Sequence, residues 1–399
     1  MDICLPCHGT GISAFHNWGS YCRSTGPEVA GRCLPEIPTE HLRFYPLVPE
    51  EVQRVIKMLF SQLKLSLAER GFIPDAIIRW GIRNLCQKRL LSETNNLERG
   101  ITRNETLDIA VDTAAANAQH YEVPALFYEL VLGSNKKYSC CWWNDETETL
   151  NEAEANALAR TADNAAVEDG MEILDLGCGW GALTLWLVDN FPNVKITSVS
   201  NSNSQREYIT QRLSKLGKAN RVDVITNDIN DFEPEKTFDR IISVEMMEHI
   251  RNHSRLFDKI SSWLVKDGQV LTHVFAHKTL SYDFDPNGAD DWMAKYFFTG
   301  GMMPSHSTQP QAAKGFQLVE QDIWPGTHYE STSMAWLRNM DMNKSSILNI
   351  FQKCYKNDYM LWWNRWRMFF LAVAELFGYS EGNEWGVIQQ RFKRETFTP

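Results

Sequence analysis

Apolar residues follow two different spacings along the chain, and the spacing changes near Asp169-Gly170. Before that point they recur at helical intervals, in one stripe from Val52 to Leu63 and a second from Ile77 to Leu85. After it, short β-rich runs alternate with helical stretches, the sequence form of a doubly wound parallel sheet. The pattern therefore predicts a helical N-terminal layer followed by an α/β domain.

Five strands are predicted in order, and two later runs would complete a seven-stranded sheet with a reversed edge strand. The predicted strands are Glu172 to Leu176, Lys195 to Ser200, Val222 to Thr226, Asp239 to Val244 and Gln269 to Phe275, then Gln317 to Ile323 and Val387 to Phe392. A helical insertion at about 333–380 lies between the last two and is expected to cover the active site. Its tryptophans Trp362, Trp363 and Trp366 predict core packing, with an aromatic substrate wall as the alternative.

The predicted domain division has three parts. Residues 1–45 mix Gly, Pro, Ser and Cys without periodicity and are expected to form a flexible leader. A helical layer at 46–135 and the α/β domain at 136–399 follow.

Composition narrows the class of partner. The 399-residue chain is 43% hydrophobic and has a formal net charge of -10, with no long basic block, so nucleic acid is not expected. The longest apolar stretch, Phe369 to Phe377, is broken by Glu375 and is far shorter than the roughly 20 residues that cross a bilayer, so no stable membrane insertion is expected. Nine cysteines without a regular framework, and no apolar signal segment, indicate the cytoplasm. The cluster Cys4-Cys7-His8 lacks a second ligand pair of recognised spacing, so no metal is predicted.

The first predicted strand runs directly into a glycine turn, Gly177 to Gly181. Glycines accept unusual backbone angles and let the chain approach a ligand closely, and the helix that starts near Ala182 points its amides into the same crevice. The turn alone is ambiguous, because Gly177, Gly179 and Ala182 also satisfy the dinucleotide fingerprint G-x-G-x-x-G/A. A nicotinamide-dependent oxidoreductase is therefore an alternative at this stage.

The ends of the neighbouring strands favour S-adenosylmethionine as the cofactor. A nicotinamide enzyme should place an acidic residue after the second strand, where this chain has Asn201. Asp175 before the turn, and Asp228 with Ile229 after the third strand, fit S-adenosylmethionine better, since Asp228 can accept from the adenine amine while Ile229 packs on the ring.

The fourth strand leads into a dense set of acid-base groups, Glu245 to His249, at the ligand-binding edge of the predicted sheet. In a helical turn, Glu245 would meet Glu248 and His249 on one face. Methyl transfer is an in-line displacement, and a cationic amine acceptor must first lose a proton. The two carboxylates can attract the ammonium group, and His249 can accept its proton. The alternative interpretation of this segment is a solvated first turn of a helix, where acidic residues are favoured by the helix dipole and have no catalytic role.

These residues resemble the cyclopropane-fatty-acid synthase-like methyltransferases, and more closely their plant branch typified by coclaurine N-methyltransferase. The resemblance covers roughly Val48 to Arg394. It rests on the segments His120 to Pro124, Tyr138 to Trp143, Gly177 to Gly181, Asn201 to Gln205, Glu245 to His249, Tyr296 to Gly301 and Ala372 to Tyr379.

The resemblance implies a Rossmann-like class I methyltransferase fold and a set of roles. It implies that the cofactor is contacted by Ser139, Gly177, Asn201, Gln205, Asp228 and Ile229, to which the glycine turn itself adds Asp175 and Gly179. It implies that Glu245, Glu248 and His249 handle the substrate amine, with Glu122 as an added substrate carboxylate. The partners expected are a hydrophobic small-molecule amine, such as a benzylisoquinoline, and a second copy of the chain in a homodimer.

In the lipid-modifying branch a bicarbonate ion serves as the base, and its polar ligands would fall at Cys140, Glu248, His273 and Tyr329. That overlap leaves an alternative function open, the C-methylation or cyclopropanation of unsaturated phospholipid acyl chains. Two departures favour the amine: Phe275 replaces the usual aliphatic residue, and Ala374 replaces a late cysteine. His273, which closes the fifth strand, and Tyr329 are therefore taken as substrate-side candidates. A scaffold that binds the cofactor without turnover is the least favoured alternative.

Overall fold

A seven-stranded mixed sheet forms the centre of the protein, with the strand order β3-β2-β1-β4-β5-β9-β8. The structure is a computed structural model that describes residues 62–98, 108–110, 123–284 and 292–395, all within one compact unit. The leader at 1–45, the stripe from Val52 to residue 61, and Glu122 lie outside these ranges. The strands are β1 Glu172–Leu176, β2 Lys195–Ser200, β3 Val222–Thr226, β4 Phe238–Val244, β5 Leu264–His277, β8 Phe316–Trp324 and β9 Trp385–Arg394, while β6 Tyr282–Asp283 and β7 Met302–Met303 pair separately.

The class I α/β fold predicted from the sequence is confirmed, with one correction to the topology. Strands β1 to β5 are parallel, and β9 is antiparallel to both β5 and β8. The reversed strand is therefore not at the edge, as predicted, but one position inside it. Burial gives the reason: most of β9 is buried, whereas the edge strand β8 exposes polar residues such as Gln317 and Glu320, which discourages pairing with another chain.

Helices cover both faces of the sheet. Their bounds are α1 Asp75–Glu98, α2 Ala125–Val131, α3 Leu150–Asn164, α4 Ala182–Asn190, α5 Asn203–Lys215, α6 His253–Trp263, α7 Trp292–Tyr296, α8 Thr308–Ala312, α9 Thr327–Met342, α10 Lys344–Tyr355 and α11 Tyr359–Phe377, and residues 62–69 are also helical. Among the described residues, no helix is both long and apolar enough to cross a membrane.

The insertion between β8 and β9 consists of α9, α10 and α11. Trp363 and Trp366 on α11 are buried, and Trp366 packs against Phe127 and Phe297. These two tryptophans are therefore core residues. The N-terminal helix α1 is tied to α11 by Arg79 and Arg83, both of which donate to the buried carboxylate of Glu375.

Candidate active site

Two adjoining cavities lie at the carboxyl ends of β1 to β4. Gly177, Gly179, Gln205 and Glu245 line both. Every residue predicted to contact the cofactor lines at least one cavity. Asn201, Asp228 and Ile229 line the larger, Ser139 and Asp175 line the smaller, and Gly177, Gly179 and Gln205 line both.

The glycine turn requires glycine for conformation and for space. Gly177 has a φ of 86°, a region that side chains rarely adopt. A Cβ on Gly177 would lie 2.6 Å from Cγ of Met246, whereas one on Gly179, with φ of 53°, would meet nothing within 4 Å. The turn thus leaves an open cradle above Gly179 that a ligand can fill.

Flanking residues hold the cradle in place. Asp175 is buried and accepts a 2.6 Å hydrogen bond from Oγ1 of Thr184 on α4, and burial raises the pKa of its carboxyl to about 6. Ser202 is the N-cap of helix α5, and its hydroxyl accepts from the backbone N–H of Gln205. The buried Gln205 therefore lies in the first turn of that helix, where it lines both cavities. Asp228 accepts from the backbone and side-chain nitrogens of Asn230, both at 2.9 Å.

The segment after β4 does not form the predicted helical turn. Glu245 has a φ of 46°, and only Met247–His249 form a short 3₁₀ helix. The backbone N–H of Glu245 donates to the carbonyl of His273 on β5 at 2.7 Å. The predicted helical turn is therefore wrong, although Glu245 still lies close enough to Glu248 and His249 for its negative charge to favour a higher pKa in each.

The Glu245 carboxylate is held by groups from three other parts of the chain. Its Oε1 accepts from the Cys140 backbone N–H at 2.8 Å and lies 3.5 Å from Nε2 of His273, while its Oε2 accepts from the Tyr329 hydroxyl at 2.6 Å. Burial acts to raise the pKa of Glu245, but His273, the positive charge of Lys137 and the Tyr329 hydroxyl together lower it. Glu245 is therefore ionised at neutral pH.

Glu248 has the opposite electrostatic environment. Its side chain is fully buried, and its Oε1 accepts from the Phe275 backbone N–H at 2.7 Å. Its Oε2 has no hydrogen-bond partner among the residues that the structure describes. Burial and the nearby negative charge of Glu245 raise the pKa of Glu248 well above its ordinary value and so favour its neutral form.

His249 faces the larger cavity beside Met246 and Thr299. Its ring stacks on Phe298 with the ring centres 5.8 Å apart. Burial lowers the pKa of His249 to about 4, so the imidazole carries no charge at neutral pH and has a nitrogen that can accept a proton. No group of three or more metal-ligating side chains occurs within the described ranges.

Comparison with known proteins identifies the chain's relatives. The family model "Mycolic acid cyclopropane synthetase" matches residues 110–375. An (S)-coclaurine N-methyltransferase from Thalictrum flavum subsp. glaucum is 34% identical over 86% of this chain and 96% of its own length. The chain belongs to the mycolic acid cyclopropane synthetase family. It is a methyltransferase that uses S-adenosylmethionine, and the resemblance stated from the sequence is confirmed.

A solved structure and a second sequence relative extend the comparison. The crystal structure of coclaurine N-methyltransferase bound to N-methylheliamine and SAH is 33% identical, with a TM-score of 0.77, over 83% of this chain and 98% of that one. A cyclopropane-fatty-acyl-phospholipid synthase from Escherichia coli (strain K12) is 29% identical over 55% of this chain. Both the predicted fold and the predicted cofactor agree with the amine-modifying relative.

Two residues of the candidate site in this chain, Lys137 and Gln389, were not predicted from the sequence. Lys137 is almost fully buried, and its Nζ donates to Oγ of Ser139 at 2.5 Å and to the Cys140 carbonyl at 2.6 Å. A lysine directly before the Tyr138 to Trp143 motif was the available signal. Gln389 on β9, which contacts His273, had no local signal, because only the tertiary fold brings β9 beside β5.

Proposed function

We propose that this enzyme transfers a methyl group from S-adenosylmethionine to the nitrogen of a hydrophobic amine. One observation carries the choice over lipid modification. The Glu245 carboxylate accepts from the Cys140 N–H and the Tyr329 hydroxyl and lies beside Nε2 of His273. Those groups belong to the set that the family resemblance implies for bicarbonate. A carboxylate of the chain thus stands where the free anion would bind.

The charges of the cluster suit an ammonium group. Glu245 is the ionised carboxylate, Glu248 is neutral, and both His249 and His273 have pKa values lowered by burial. The Glu245 carboxylate, which lines both cavities, is the negative charge that would attract an ammonium group. Two ionised carboxylates here would instead repel each other in a buried site.

We assign the proton to His249. S-adenosylmethionine, when bound, supplies a methyl group on a positively charged sulfur. Glu245 would orient the amine, and His249, uncharged and in the same cavity, would accept the amine proton. The negative charge of Glu245 favours the imidazolium that results. Tyr329 acts through its hydrogen bond to Glu245, and Glu122 remains proposed as a further substrate carboxylate.

The acceptor class is proposed from the relatives and from the aromatic residues beside His249. The relatives reported above act on coclaurine or bind N-methylheliamine. Phe298, which stacks on His249, also contacts Phe275, Phe284 and Phe369, so an aromatic cluster lies beside the proposed base. We therefore propose a cyclic or aralkyl amine of the benzylisoquinoline type.

The test is an acceptor screen with methyl-labelled S-adenosylmethionine. Label should enter cyclic aralkyl amines and should not enter vesicles of unsaturated phospholipid. A variant with Glu245 and Glu248 both changed to Gln controls for background transfer. Label in the vesicles, with none in any amine, would refute the proposal in favour of lipid C-methylation.

We make three further proposals, on the cellular compartment, the oligomeric state and the domain division. We place the enzyme in the cytoplasm, because the described cysteines Cys86, Cys140, Cys141, Cys178 and Cys354 are all free thiols. We propose a homodimer, which light scattering on the purified chain tests directly. We also retain the division into a leader, a helical layer at 46–135 and a catalytic domain at 136–399, which limited proteolysis tests.

A further inference from the structure

A chain of hydrogen-bonded polar side chains, part-buried at its outer end and fully buried at its inner end, runs from the edge strand β8 to His273. Arg160 on α3 forms a double hydrogen bond to Asp322, at 2.6 and 2.8 Å. Asn164 donates through Nδ2 to Asp322 at 2.8 Å and to Oε1 of Gln389 at 2.6 Å. Gln389 donates through Nε2 to Oγ1 of Thr161 at 2.9 Å and is 2.8 Å from Nδ1 of His273.

The direction of every bond in this chain is fixed from its outer end. Burial acts to raise the pKa of Asp322, but Arg160, Trp324 and Asn164 lower it, so Asp322 is a carboxylate that can only accept. Asn164 must therefore turn its NH₂ group toward Asp322. The second hydrogen of that NH₂ group then points to Gln389, whose Oε1 must accept it.

The opposite orientation of the Gln389 amide would leave it badly paired. Its NH₂ group would face the NH₂ group of Asn164. Its oxygen would face Thr161, whose only hydroxyl hydrogen is donated to the Ala157 carbonyl at 2.7 Å. Because Gln389 is buried, such mismatches would cost about 1–3 kcal/mol for each unpaired group. Two neighbours thus select the orientation in which Nε2 donates to His273.

The orientation of Gln389 determines where His273 carries its proton. A nitrogen that accepts from Gln389 has no hydrogen, so Nδ1 is bare and the ring proton is on Nε2. That Nε2 is 3.5 Å from Oε1 of Glu245, its ion-pair contact, and makes no hydrogen bond within the described part of the chain. A second proton on Nδ1 would break the bond from Gln389 in a fully buried ring.

We propose that Gln389 is a positioning residue that holds His273 as a neutral Nε2–H donor aimed at the Glu245 carboxylate. His273 is then a fixed partner of Glu245 and not the base of the reaction, which leaves proton acceptance to His249. The charged groups around the ring are Glu245, Lys137 and Asp322. The kinetic consequence rests on the proposed amine transfer, whereas the position of the proton does not.

The direct test is nitrogen NMR of the full chain labelled with ¹⁵N-histidine. The signals of His273 are assigned by their loss in His273→Asn. We expect a protonated Nε2 and a bare Nδ1 that do not titrate between about pH 5 and pH 8, where an ordinary imidazole does. A hydrogen on Nδ1 of the unaltered protein, or titration in that range, would overturn the proposal even if the Gln389 and Gln390 variants do not fold.

A matched pair of variants tests the assignment to Gln389. In Gln389→Glu the new carboxylate should accept from Nδ1, so Nδ1 gains a hydrogen. In Gln390→Glu, the adjacent buried residue whose Nε2 donates to the His306 carbonyl and Gln321, the His273 signals should not move. If both variants shift His273 equally, or if Gln389→Glu leaves it unchanged, Gln389 does not fix the ring.

Kinetics separate positioning from a general loss of structure. In Gln389→Glu, we expect kcat for the amine to fall roughly 10- to 100-fold, as when the orienting partner of an imidazole is changed, with KM for S-adenosylmethionine within about twofold. Gln390→Glu should keep both constants. Equal losses in kcat and cofactor affinity would point to a structural role and contradict the proposal. A chain that methylates no amine but keeps the NMR pattern would refute only the proposed function.

Discussion

The cofactor turn and the acid-base cluster lie at neighbouring strand ends of one sheet, but they are built in opposite ways. The turn is made by consecutive residues, Gly177 to Gly181, whose backbone leaves space for a ligand. The cluster depends on Glu245, which is held by Cys140, His273 and Tyr329 from distant parts of the chain. A local sequence motif can therefore specify the turn, whereas the cluster exists only in the folded protein.

Electrostatics separates the two regions further. The turn is expected to bind through backbone shape, and the acidic residue shortly before it, Asp175, already accepts from Thr184. The cluster holds two acids in opposite states, with the pKa of Glu245 lowered and that of Glu248 raised. Cofactor binding and acceptor chemistry should consequently respond to different substitutions. Four predictions test that separation, from the largest expected effect to the smallest.

Glu245→Gln should have the largest effect. The change removes the negative charge that attracts the amine and places an NH₂ group against the donors Cys140 N–H or Tyr329 hydroxyl. We expect kcat/KM for the amine to fall about 10²- to 10⁴-fold, the range for a positioned acid-base group. Calorimetry should find the affinity for S-adenosylhomocysteine within about twofold. A comparable loss of cofactor affinity would show that the two regions are not separate.

Gly177→Ala tests a point of contact between the cofactor turn and the acid-base cluster. A Cβ at Gly177 would clash with Met246, the residue after Glu245, whereas one at Gly179 would meet no protein atom within 4 Å. Both positions have positive φ, so either alanine costs roughly 1–2 kcal/mol of folding free energy. Because both glycines line the two cavities, an added methyl group at either should also weaken cofactor binding about tenfold. Only Gly177→Ala should also lower kcat. Equal kcat values for the two variants would contradict the contact argument.

The same division explains what the sequence could predict. The bounds of β1, β2 and β3 match the prediction to the residue, because each is a short β-rich run between helical stretches. Strand β5 begins at Leu264, five residues before the predicted Gln269. The prediction started too late because Lys266-Asp267-Gly268 has the composition of a turn. The sequence did not show that β9 lies inside the sheet, because strand order depends on long-range pairing.

The catalytic segment shows where local spacing fails. Residues 245–249 suggested a helical turn, but the hydrogen bond from the Glu245 N–H to the His273 carbonyl imposes a positive φ instead. The charge states also depend on partners far along the chain, such as Lys137 for Glu245 and Glu245 for Glu248. Residue type and order identified the acid-base groups, while their division into one anion and one neutral acid required the fold.

Tyr329→Phe should give an intermediate effect. The substitution removes a 2.6 Å hydrogen bond to Glu245 and leaves the ring stacked on Phe377. A hydrogen bond to a charged group contributes about 1.5–3 kcal/mol, so we expect kcat to fall roughly tenfold or more. The Tyr329 hydroxyl helps to lower the pKa of Glu245, so the acid limb of kcat/KM should move to higher pH. A limb that stays in place would show that Glu245 does not depend on this donor.

Glu248→Gln should have the smallest effect on activity and a measurable effect on stability. Glutamine keeps an oxygen to accept from the Phe275 N–H and is uncharged, as Glu248 is in the folded protein at neutral pH, so kcat should stay within a few fold. In the unfolded chain Glu248 ionises near its ordinary pKa, whereas in the folded chain its pKa is raised. Above the unfolded pKa the folded state binds more protons, so the stability of the unaltered protein declines as pH rises toward the folded pKa.

Glu248→Gln removes that decline. Its unfolding free energy should therefore exceed that of the unaltered protein by an amount that grows from mildly acidic to neutral pH, as urea titrations at several pH values would measure. Glu248→Ala is the matched control, because it leaves the buried Phe275 N–H without its acceptor and should be less stable at every pH. If Glu248→Gln instead loses as much kcat as Glu245→Gln, both carboxylates work as anions, and the contrast between one charged and one neutral acid is wrong.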